Sequence, residues 1–242
     1  MAIELALLIL GAYLLGSVPA AYLVAKWSRG IDIRQYGSGN VGATNLLKLT
    51  SKRVAIPVII FDLGKGAVMI WAAQLLGLGI AQQVAVGLAA IIGHSWSVFL
   101  RFGGGRGLLT ILGIALALPL INDINNSVPW EMVAFLAIAA IGLFILHSMP
   151  LGTGTGIAAM PLVSWGLGEP LPLTLGYLAM FLLLVIRRLA PPQLAATTQI
   201  NRKQLLLNRL LFDRDIRDRE AWINRTQPEV NSVEQPPGQQ EK

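Results

Sequence analysis

Apolar residues occupy most of the chain in long stretches, and short polar segments separate these stretches. A membrane-spanning helix needs about 20 mainly apolar residues, so each long stretch is a candidate span. We predict an all-α integral membrane protein with about seven spans, at residues 1–25, 54–77, 79–100, 108–121, 132–146, 157–167 and 171–186. The fourth and sixth stretches are short, which leaves a five-span protein as the alternative. Residues 151–156, rich in glycine and threonine, are expected to be a loop.

The first apolar stretch, residues 1–25, contains Glu4 as its only charged residue. A cleaved signal peptide has a basic start and a short apolar core. The acidic start and the long apolar stretch therefore favour a membrane span.

Lysine and arginine are concentrated in alternate loops of the seven-span prediction. The three basic segments contain Lys26, Arg29, Arg34, Lys48, Lys52 and Arg53, then Arg101 and Arg106, then Arg187 and Arg188. The loops after spans two, four and six contain neither residue type. Because lysine and arginine are enriched in cytoplasmic loops, we expect the N-terminus outside and the C-terminus in the cytoplasm.

The last 52 residues differ from the rest of the chain because they hold 15 of its charged side chains. We expect a membrane domain at residues 1–190, a linker and an amphipathic cytoplasmic helix within 191–227, and a tail at 228–242. The linker is expected at 191–198 and the helix at 201–225. This helix either lies on the inner leaflet or docks on the protein's own loops. The tail, rich in proline, glutamine and glutamate, is expected to be disordered.

The overall composition excludes several classes of protein. Hydrophobic residues make up 54% of the chain and charged residues 13%, whereas a soluble domain has about 25% charged residues. A soluble globular enzyme is therefore excluded. The absence of cysteine excludes disulfides, thiol catalysis and thiolate metal sites. The net charge of +6 indicates cytoplasmic loops and contact with anionic lipid rather than nucleic acid.

The first basic loop reads Gly-Ser-Gly-Asn-Val-Gly-Ala-Thr-Asn over residues 37–45. Its G-x-G-x-x-G pattern follows a membrane span, not the strand that a dinucleotide-binding motif needs. Glycines still allow backbone N–H groups to approach a phosphate, and the polar side chains add donors. A flexible loop with helix caps is the alternative. The candidate phosphate ligands are Gly37, Ser38, Gly39, Asn40, Gly42, Thr44, Asn45 and Lys48.

The second basic loop places Arg106 among four glycines at positions 103, 104, 105 and 107. It lacks the G-K-[ST] ending of a Walker A loop, so nothing supports ATP hydrolysis. Taken alone, the loop fits a tight turn with a basic anchor as well as it fits a phosphate site. Two such loops on one membrane face favour a shared phosphate site. The candidate ligands here are Gly104, Gly105, Arg106 and Gly107.

Few titratable residues lie within the predicted spans. Asp62 and Lys65 are three residues apart, so they share a helix face and are expected to form an intramembrane ion pair beneath the first loop. His94 is a candidate base or phosphate ligand, whereas we expect His147 to be structural. The sequence has no H-x-x-x-x-D motif, no G-x-S-x-G motif and no metal-ligand spacing, so we expect neither a metal nor another cofactor.

Four motifs, in order, resemble those of the bacterial acyl-phosphate:glycerol-3-phosphate acyltransferases, the PlsY family. They are Gly16-Ser17-Val18-Pro19, then Asp32-Ile33-Arg34 with residues 37–45, then Asp62-Leu63-Gly64-Lys65-Gly66, then Gly93-His94 through residues 99–107. The match covers about residues 10–110, and residues 111–190 match only in hydropathy.

This sequence departs from the family pattern at three places. Lys48 stands where the family usually has arginine, and Arg106 stands where it usually has lysine, with Gly103 replacing an earlier lysine. These exchanges of arginine and lysine keep the charge and change the hydrogen-bond geometry. The family's C-terminal motif is not recognisable, and Asn208, which precedes Arg-Leu-Leu, is its candidate counterpart.

The resemblance implies transfer of an acyl chain from acyl phosphate to the sn-1 hydroxyl of glycerol 3-phosphate, on the cytoplasmic face of the bacterial plasma membrane. The residues expected to take part in catalysis are Ser38, Lys48, His94 and Arg106. The base is unassigned: His94, a carboxylate such as Asp62, or a substrate phosphate are the candidates. A transporter of a phosphorylated solute, or an acyltransferase with another donor or acceptor, is the alternative.

Overall fold

Apolar helices build the fold. A computed structural model describes residues 2–190, 200–218 and 221–222. The helices of this part of the chain are α1 (Ala2–Ser17), α2 (Ala20–Arg29), α3 (Ala43–Leu49), α4 (Lys52–Leu75), α5 (Ile80–Ser95), α6 (Leu108–Ile121), α7 (Trp130–Phe144), α8 (Met149–Gly166), α9 (Leu171–Leu189) and α10 (Arg202–Phe212). Short 3₁₀ turns lie at Ile33–Gln35 and Val98–Leu100. The all-α prediction is confirmed for these residues.

Among the described residues, three helical segments are long and apolar enough to cross a membrane. They are Ala2–Arg29, which includes α1 and α2, then Lys52–Leu75 and Leu171–Leu189. Helices α5, α6 and α7 are also apolar but shorter. The number of spans and their orientation remain predictions.

Val18 and Pro19 interrupt the first apolar stretch, so α1 and α2 are separate helices. Proline has no backbone N–H, and its ring clashes with the preceding helical turn. The predicted first span at residues 1–25 therefore consists of two helices, which together are long and apolar enough to cross a membrane. The break places Val18 and Pro19 in the wall of a recess at the end of α1.

Helix α8 begins at Met149, so the prediction of a loop at residues 151–156 is wrong. Gly152 of α8 lies directly against Gly142 of α7, and a Cβ atom on either glycine would overlap the other's backbone. Small residues allow two helices to approach this closely. The close packing of α7 and α8 outweighs the low helix propensity of glycine.

In the part of the chain that the structure describes, the helices enclose one large apolar core and two smaller ones. The large core joins α4, α5, α6, α8 and α9 through fully buried side chains such as Ile70, Ile91, Ile114, Met160 and Tyr177. Helix α1 packs on α5, and α4 packs on both α5 and α6. These contacts hold the ends of α1, α4, α5 and α6 together, where the two glycine-rich loops lie.

Helix α10 is shorter than predicted and docks on the protein itself. It packs against α8 and α9, and Arg209 Nη1 donates to the Leu189 backbone oxygen at 3.1 Å. The helix ends at Phe212 because Asp213 adopts a left-handed conformation with φ of 56°. Docking is therefore the alternative that the structure supports. The predicted linker at 191–198 and the tail at 228–242 lie outside the described residues, and the division into domains stays a prediction.

Candidate active site

The first glycine-rich loop is organised by the side chain of Asn45. Asn45 Oδ1 accepts a hydrogen bond from the Ser38 backbone N–H at 3.1 Å. Its Nδ2 donates to the backbone oxygens of Ile33, Tyr36 and Asn40 at 3.2, 3.1 and 3.1 Å. Asn45 as a whole residue is 2% exposed. Because both amide hydrogens face the loop's own carbonyls, Asn45 shapes the loop and does not present its amide to a phosphate, which corrects the prediction.

An ion pair and two glycines complete the shape of this loop. Arg34 donates from Nε and Nη2 to the Asp32 carboxylate at 2.9 and 2.6 Å. These hydrogen bonds hold the pKa of Asp32 below its usual range. Gly37 and Gly39 have φ of 59° and 72°, values that favour glycine. The loop therefore has a defined conformation, not the flexible one of the alternative interpretation.

The second glycine-rich loop lies against the end of α5. The Gly105 backbone N–H donates to the His94 backbone oxygen at 3.1 Å. A Cβ atom on Gly104 would overlap that same oxygen, and one on Gly105 would overlap the His94 imidazole. These two positions require glycine because the loop backbone passes directly over His94.

The two loops meet at a recess that we call the basic recess. It is lined by Ser38, Gly39, Asn40, Val41, Gly104, Arg106 and Arg187. Arg187 donates from Nε to the Gly105 oxygen at 3.1 Å and from Nη2 to the Gly104 oxygen at 2.8 Å. The sequence indicated Arg187 only as a marker of orientation. Its contacts with the second loop make it a wall of the recess.

Arg106 is held by α9 and by the segment that follows α10. Its Nη1 donates to the Arg187 backbone oxygen at 2.6 Å. Its Nε lies 2.7 Å from Asp213 Oδ1 as an ion pair, with an angle outside the hydrogen-bonding range. The Arg106 and Asp213 side chains are 14% and 24% exposed. Sequence reasoning missed Asp213 because nothing in the sequence links it to a loop a hundred residues earlier.

Several other predicted ligands lie away from the lining of the basic recess. Thr44 and Lys48 are on the exposed side of α3, and Gly42 is the residue that precedes this helix. Asn208 is buried and donates to the Asp215 backbone oxygen at 2.9 Å, so it closes the turn after α10. Within the described residues, Thr44, Lys48 and Asn208 do not line the basic recess, and their role in phosphate binding stays a prediction.

A buried polar group lies beneath the second loop. Lys65 Nζ is 2.8 Å from Asp62 Oδ1, 2.8 Å from His94 Nδ1 and 3.0 Å from the Gly16 backbone oxygen. The Asp62 and Lys65 side chains are 3% and 0% exposed, and that of His94 is 9% exposed. The predicted ion pair of Asp62 and Lys65 is confirmed. The sequence did not indicate that His94 joins it.

Asp62 and His94 face a second recess, the inner recess, which shares Val41 and Gly104 with the basic recess. Its lining is Ser17, Val18, Pro19, Ala20, Ala21, Val41, Asp62, His94, Ser97, Leu100, Gly104 and Gly105. Half of these residues are apolar, and Ser17, Asp62, His94 and Ser97 are polar. A basic pocket thus adjoins a partly apolar one, which suits a ligand with a phosphate next to an apolar group.

The family model described as glycerol-3-phosphate acyltransferase matches residues 6–193. The chain belongs to this family. It is therefore an acyltransferase, and its fold is that of an integral membrane protein.

Relatives of the glycerol-3-phosphate acyltransferase family match almost the whole chain. Glycerol-3-phosphate acyltransferase 5 of Dehalococcoides mccartyi is 43% identical over 93% of this chain and 95% of its own length. Glycerol-3-phosphate acyltransferase 4 of another strain of that species is 42% identical over 90% and 93%. The crystal structure of PlsY in its glycerol 3-phosphate form matches with a TM-score of 0.65 and 30% identity, over 76% of this chain and 88% of that chain. A lysophosphatidic acid form of PlsY matches with a TM-score of 0.63 and 28% identity, with the same coverage.

Proposed function

We propose that this protein transfers an acyl chain from acyl phosphate to the sn-1 hydroxyl of glycerol 3-phosphate. The products are lysophosphatidic acid and inorganic phosphate, and the reaction is an acylation in phospholipid synthesis. The observation that carries the proposal is the basic recess, where both glycine-rich loops meet beside Arg106 and Arg187. The glycerol 3-phosphate and lysophosphatidic acid forms of the similar PlsY structures support the acceptor and the product.

The basic recess has the groups that a phosphate requires. Arginine offers a planar set of donors that fits phosphate oxygens, and the Ser38 hydroxyl and Asn40 amide add neutral groups. Arg187 donates two hydrogen bonds to the second loop's carbonyls, whereas Arg106 donates one, to the Arg187 backbone oxygen, and is paired with Asp213. We assign the substrate phosphate to Arg106, because a phosphate can replace the Asp213 carboxylate. The inner recess beside it takes the reacting end of the acyl donor.

The reaction makes modest demands on the protein. The acceptor hydroxyl oxygen forms a bond to the acyl carbon, and the bond from that carbon to the phosphate oxygen breaks. The hydroxyl proton passes to the base, for which His94, a carboxylate such as Asp62, or a substrate phosphate are the candidates. Because phosphate is a good leaving group, proximity, orientation and neutralised charge supply most of the acceleration. The absence of a nucleophilic triad motif from the sequence is consistent with this chemistry.

We also propose that the recesses open at the cytoplasmic face. Ser38, Arg106 and Arg187 come from three separate basic segments, and all three line one recess. Basic segments at one end of a membrane protein are typical of its cytoplasmic end. The cell membrane of a bacterium is the expected location, and the acyl chain comes from the lipid phase.

The donor and the acceptor are tested with the purified protein in lipid. Palmitoyl phosphate or palmitoyl-CoA is supplied with radiolabelled glycerol 3-phosphate, and labelled lysophosphatidic acid is measured. We expect product from palmitoyl phosphate alone. Product from palmitoyl-CoA alone would overturn the donor, and no product from either would overturn the reaction.

The role of Arg106 is tested by Arg106→Gln. We expect the KM for glycerol 3-phosphate to rise at least tenfold, since a charged hydrogen bond contributes about 1.5–3 kcal/mol. Arg101→Gln is the matched control, because Arg101 is an exposed arginine of the same loop. Equal KM values for the two variants would contradict the assignment.

A further inference from the structure

The buried group of Asp62, Lys65 and His94 has more hydrogen-bonding contacts than a simple ion pair has. A lysine ammonium has three N–H donors and no acceptor. Lys65 Nζ has three acceptors around it, at 3.0, 2.8 and 2.8 Å: the Gly16 oxygen, Asp62 Oδ1 and His94 Nδ1. An uncharged amine could meet the same three groups only by accepting a hydrogen bond from a protonated His94 Nδ1, and the buried Asp62 carboxylate would then lose the cation 2.8 Å away. Because a lysine amine is far more basic than an imidazole, the proton is on Lys65, which is an ammonium.

The contact with Lys65 determines which nitrogen of His94 carries the proton. Because the ammonium donates to Nδ1, that nitrogen must present its lone pair. A proton on Nδ1 would face the Lys65 donors at 2.8 Å. The imidazole is thus neutral, and its single proton is on Nε2.

The Nε2 end of His94 faces the second loop and the inner recess. A Cβ atom on Gly105 would overlap Nε2, which places this nitrogen beside the loop backbone. His94, Gly104 and Gly105 line the inner recess together. In the described part of the chain, the hydrogen-bonding contacts of His94 are with its Nδ1 and its backbone, so Nε2–H remains for a ligand.

A second polar group of the same recess also lacks a partner. The Ser17 hydroxyl is fully buried, and no atom of the described residues makes a hydrogen bond with it. Buried hydroxyl groups are nearly always hydrogen-bonded. Ser17 and His94 therefore each leave a polar group in the inner recess that can donate a hydrogen bond to an oxygen atom of a ligand.

We propose that Lys65 is a positioning residue that keeps the His94 proton on Nε2, and that Nε2–H donates a hydrogen bond to an oxygen of the acyl donor. This proposal rests on the proposed function. With its proton on Nε2 and its Nδ1 lone pair bound to Lys65, His94 has no free lone pair and does not take the hydroxyl proton. Of the three candidate bases, His94 is thereby removed.

The tautomer is tested by NMR on protein labelled with ¹⁵N-histidine, in lipid nanodiscs. The chain has two histidines, and His147→Gln removes the other signal from a residue on the exposed α7–α8 loop. We expect a neutral His94 with its proton on Nε2. A proton on Nδ1, or on both nitrogens, would overturn the proposal whether or not the enzyme is active.

Addition of palmitoyl phosphate alone then tests the contact with the donor. We expect the Nε2 proton signal to move downfield as a hydrogen bond to the donor's oxygen forms. Glycerol 3-phosphate alone should not move it. No change with palmitoyl phosphate, or a change with glycerol 3-phosphate only, would overturn the assigned ligand.

Two substitutions separate a hydrogen-bond donor from a base. In His94→Gln the amide N–H₂ reaches the position of Nε2, so we expect kcat within about tenfold of the original. In His94→Asn the shorter amide reaches only the position of Nδ1, and we expect a loss of about a hundredfold or more. Loss of a general base costs roughly 10²–10⁴-fold, and glutamine does not replace one. A loss of this size in both variants, with unchanged melting temperatures, would refute the donor role.

The outcomes distinguish this proposal from the proposed function. His147→Gln should keep the original activity. If the unsubstituted protein makes no product from palmitoyl phosphate while the imidazole still has its proton on Nε2, the proposed function fails and the tautomer stands. If product forms and the proton is on Nδ1, the function stands and the role of Lys65 is wrong.

Discussion

Asn45→Asp tests whether a single amide holds the first glycine-rich loop in shape. The substitution keeps the oxygen that accepts from the Ser38 N–H and replaces the N–H₂ group by a second oxygen. That oxygen would face three backbone carbonyl oxygens, all within 3.2 Å of the present Nδ2. Two amide hydrogens are lost, at about 0.5–1.5 kcal/mol each, and the carboxylate also loses solvation. We expect the folded state to lose about 3 kcal/mol.

The assay is thermal unfolding in detergent, followed by tryptophan fluorescence, together with the KM for glycerol 3-phosphate. A loss of this size lowers the Tm of a chain this long by roughly 6–12 °C, at about 2–4 °C per kcal/mol. The KM should rise at least tenfold, because Ser38 and Asn40 are in the affected loop.

Asn201→Asp is the matched control for this substitution. Asn201 caps α10 by accepting a hydrogen bond from the Lys203 N–H, a role that asparagine and aspartate fill equally. If Asn45→Asp were as stable and as active as Asn201→Asp, the loop would not depend on the amide, and our account of its shape would be refuted.

Two further predictions concern charges near the loops. Asp213→Asn removes the carboxylate that is paired with Arg106. The KM for glycerol 3-phosphate should therefore fall about two- to fivefold, which corresponds to an ion pair of up to about 1 kcal/mol. A rise in this KM would show that Asp213 orients the arginine instead. The hydrogen bonds from Arg34 lower the pKa of Asp32. The ion pair therefore stabilises the protein at pH values above the ordinary aspartate pKa of about 3.9, and this stabilisation is lost as the pH falls below that value. The Tm difference between the original protein and Asp32→Asn should therefore be largest near neutral pH and shrink toward pH 3; a constant difference would contradict this origin.

Much of the site could be predicted because its loops are short polar and basic segments between apolar helices. The alternation of basic and uncharged loops indicated that Ser38 and Arg106 share a face, and both line the basic recess. The i, i+3 spacing of Asp62 and Lys65 was enough to predict their ion pair, because a helix places such residues side by side.

Other features depend on contacts between distant segments, which a single sequence does not encode locally. The glycines of residues 151–156 predict a loop from the sequence alone. They belong to a helix because they allow α7 to pack closely against it. The sequence predicts Asn45 as a phosphate ligand, but in the structure its side chain donates hydrogen bonds to its own loop. His94 joins Lys65 only because α5 crosses α4 at that level.

The ion pair of Asp213 with Arg106 makes substrate binding an exchange of one anion for another. The guanidinium is never without a counter-ion, since the protein supplies a carboxylate when no phosphate is present. Chloride from the solvent therefore binds weakly at this position, because a tethered carboxylate already occupies it at high local concentration. The affinity for glycerol 3-phosphate should then depend less on ionic strength than the affinity of an open groove that has two arginines and no carboxylate.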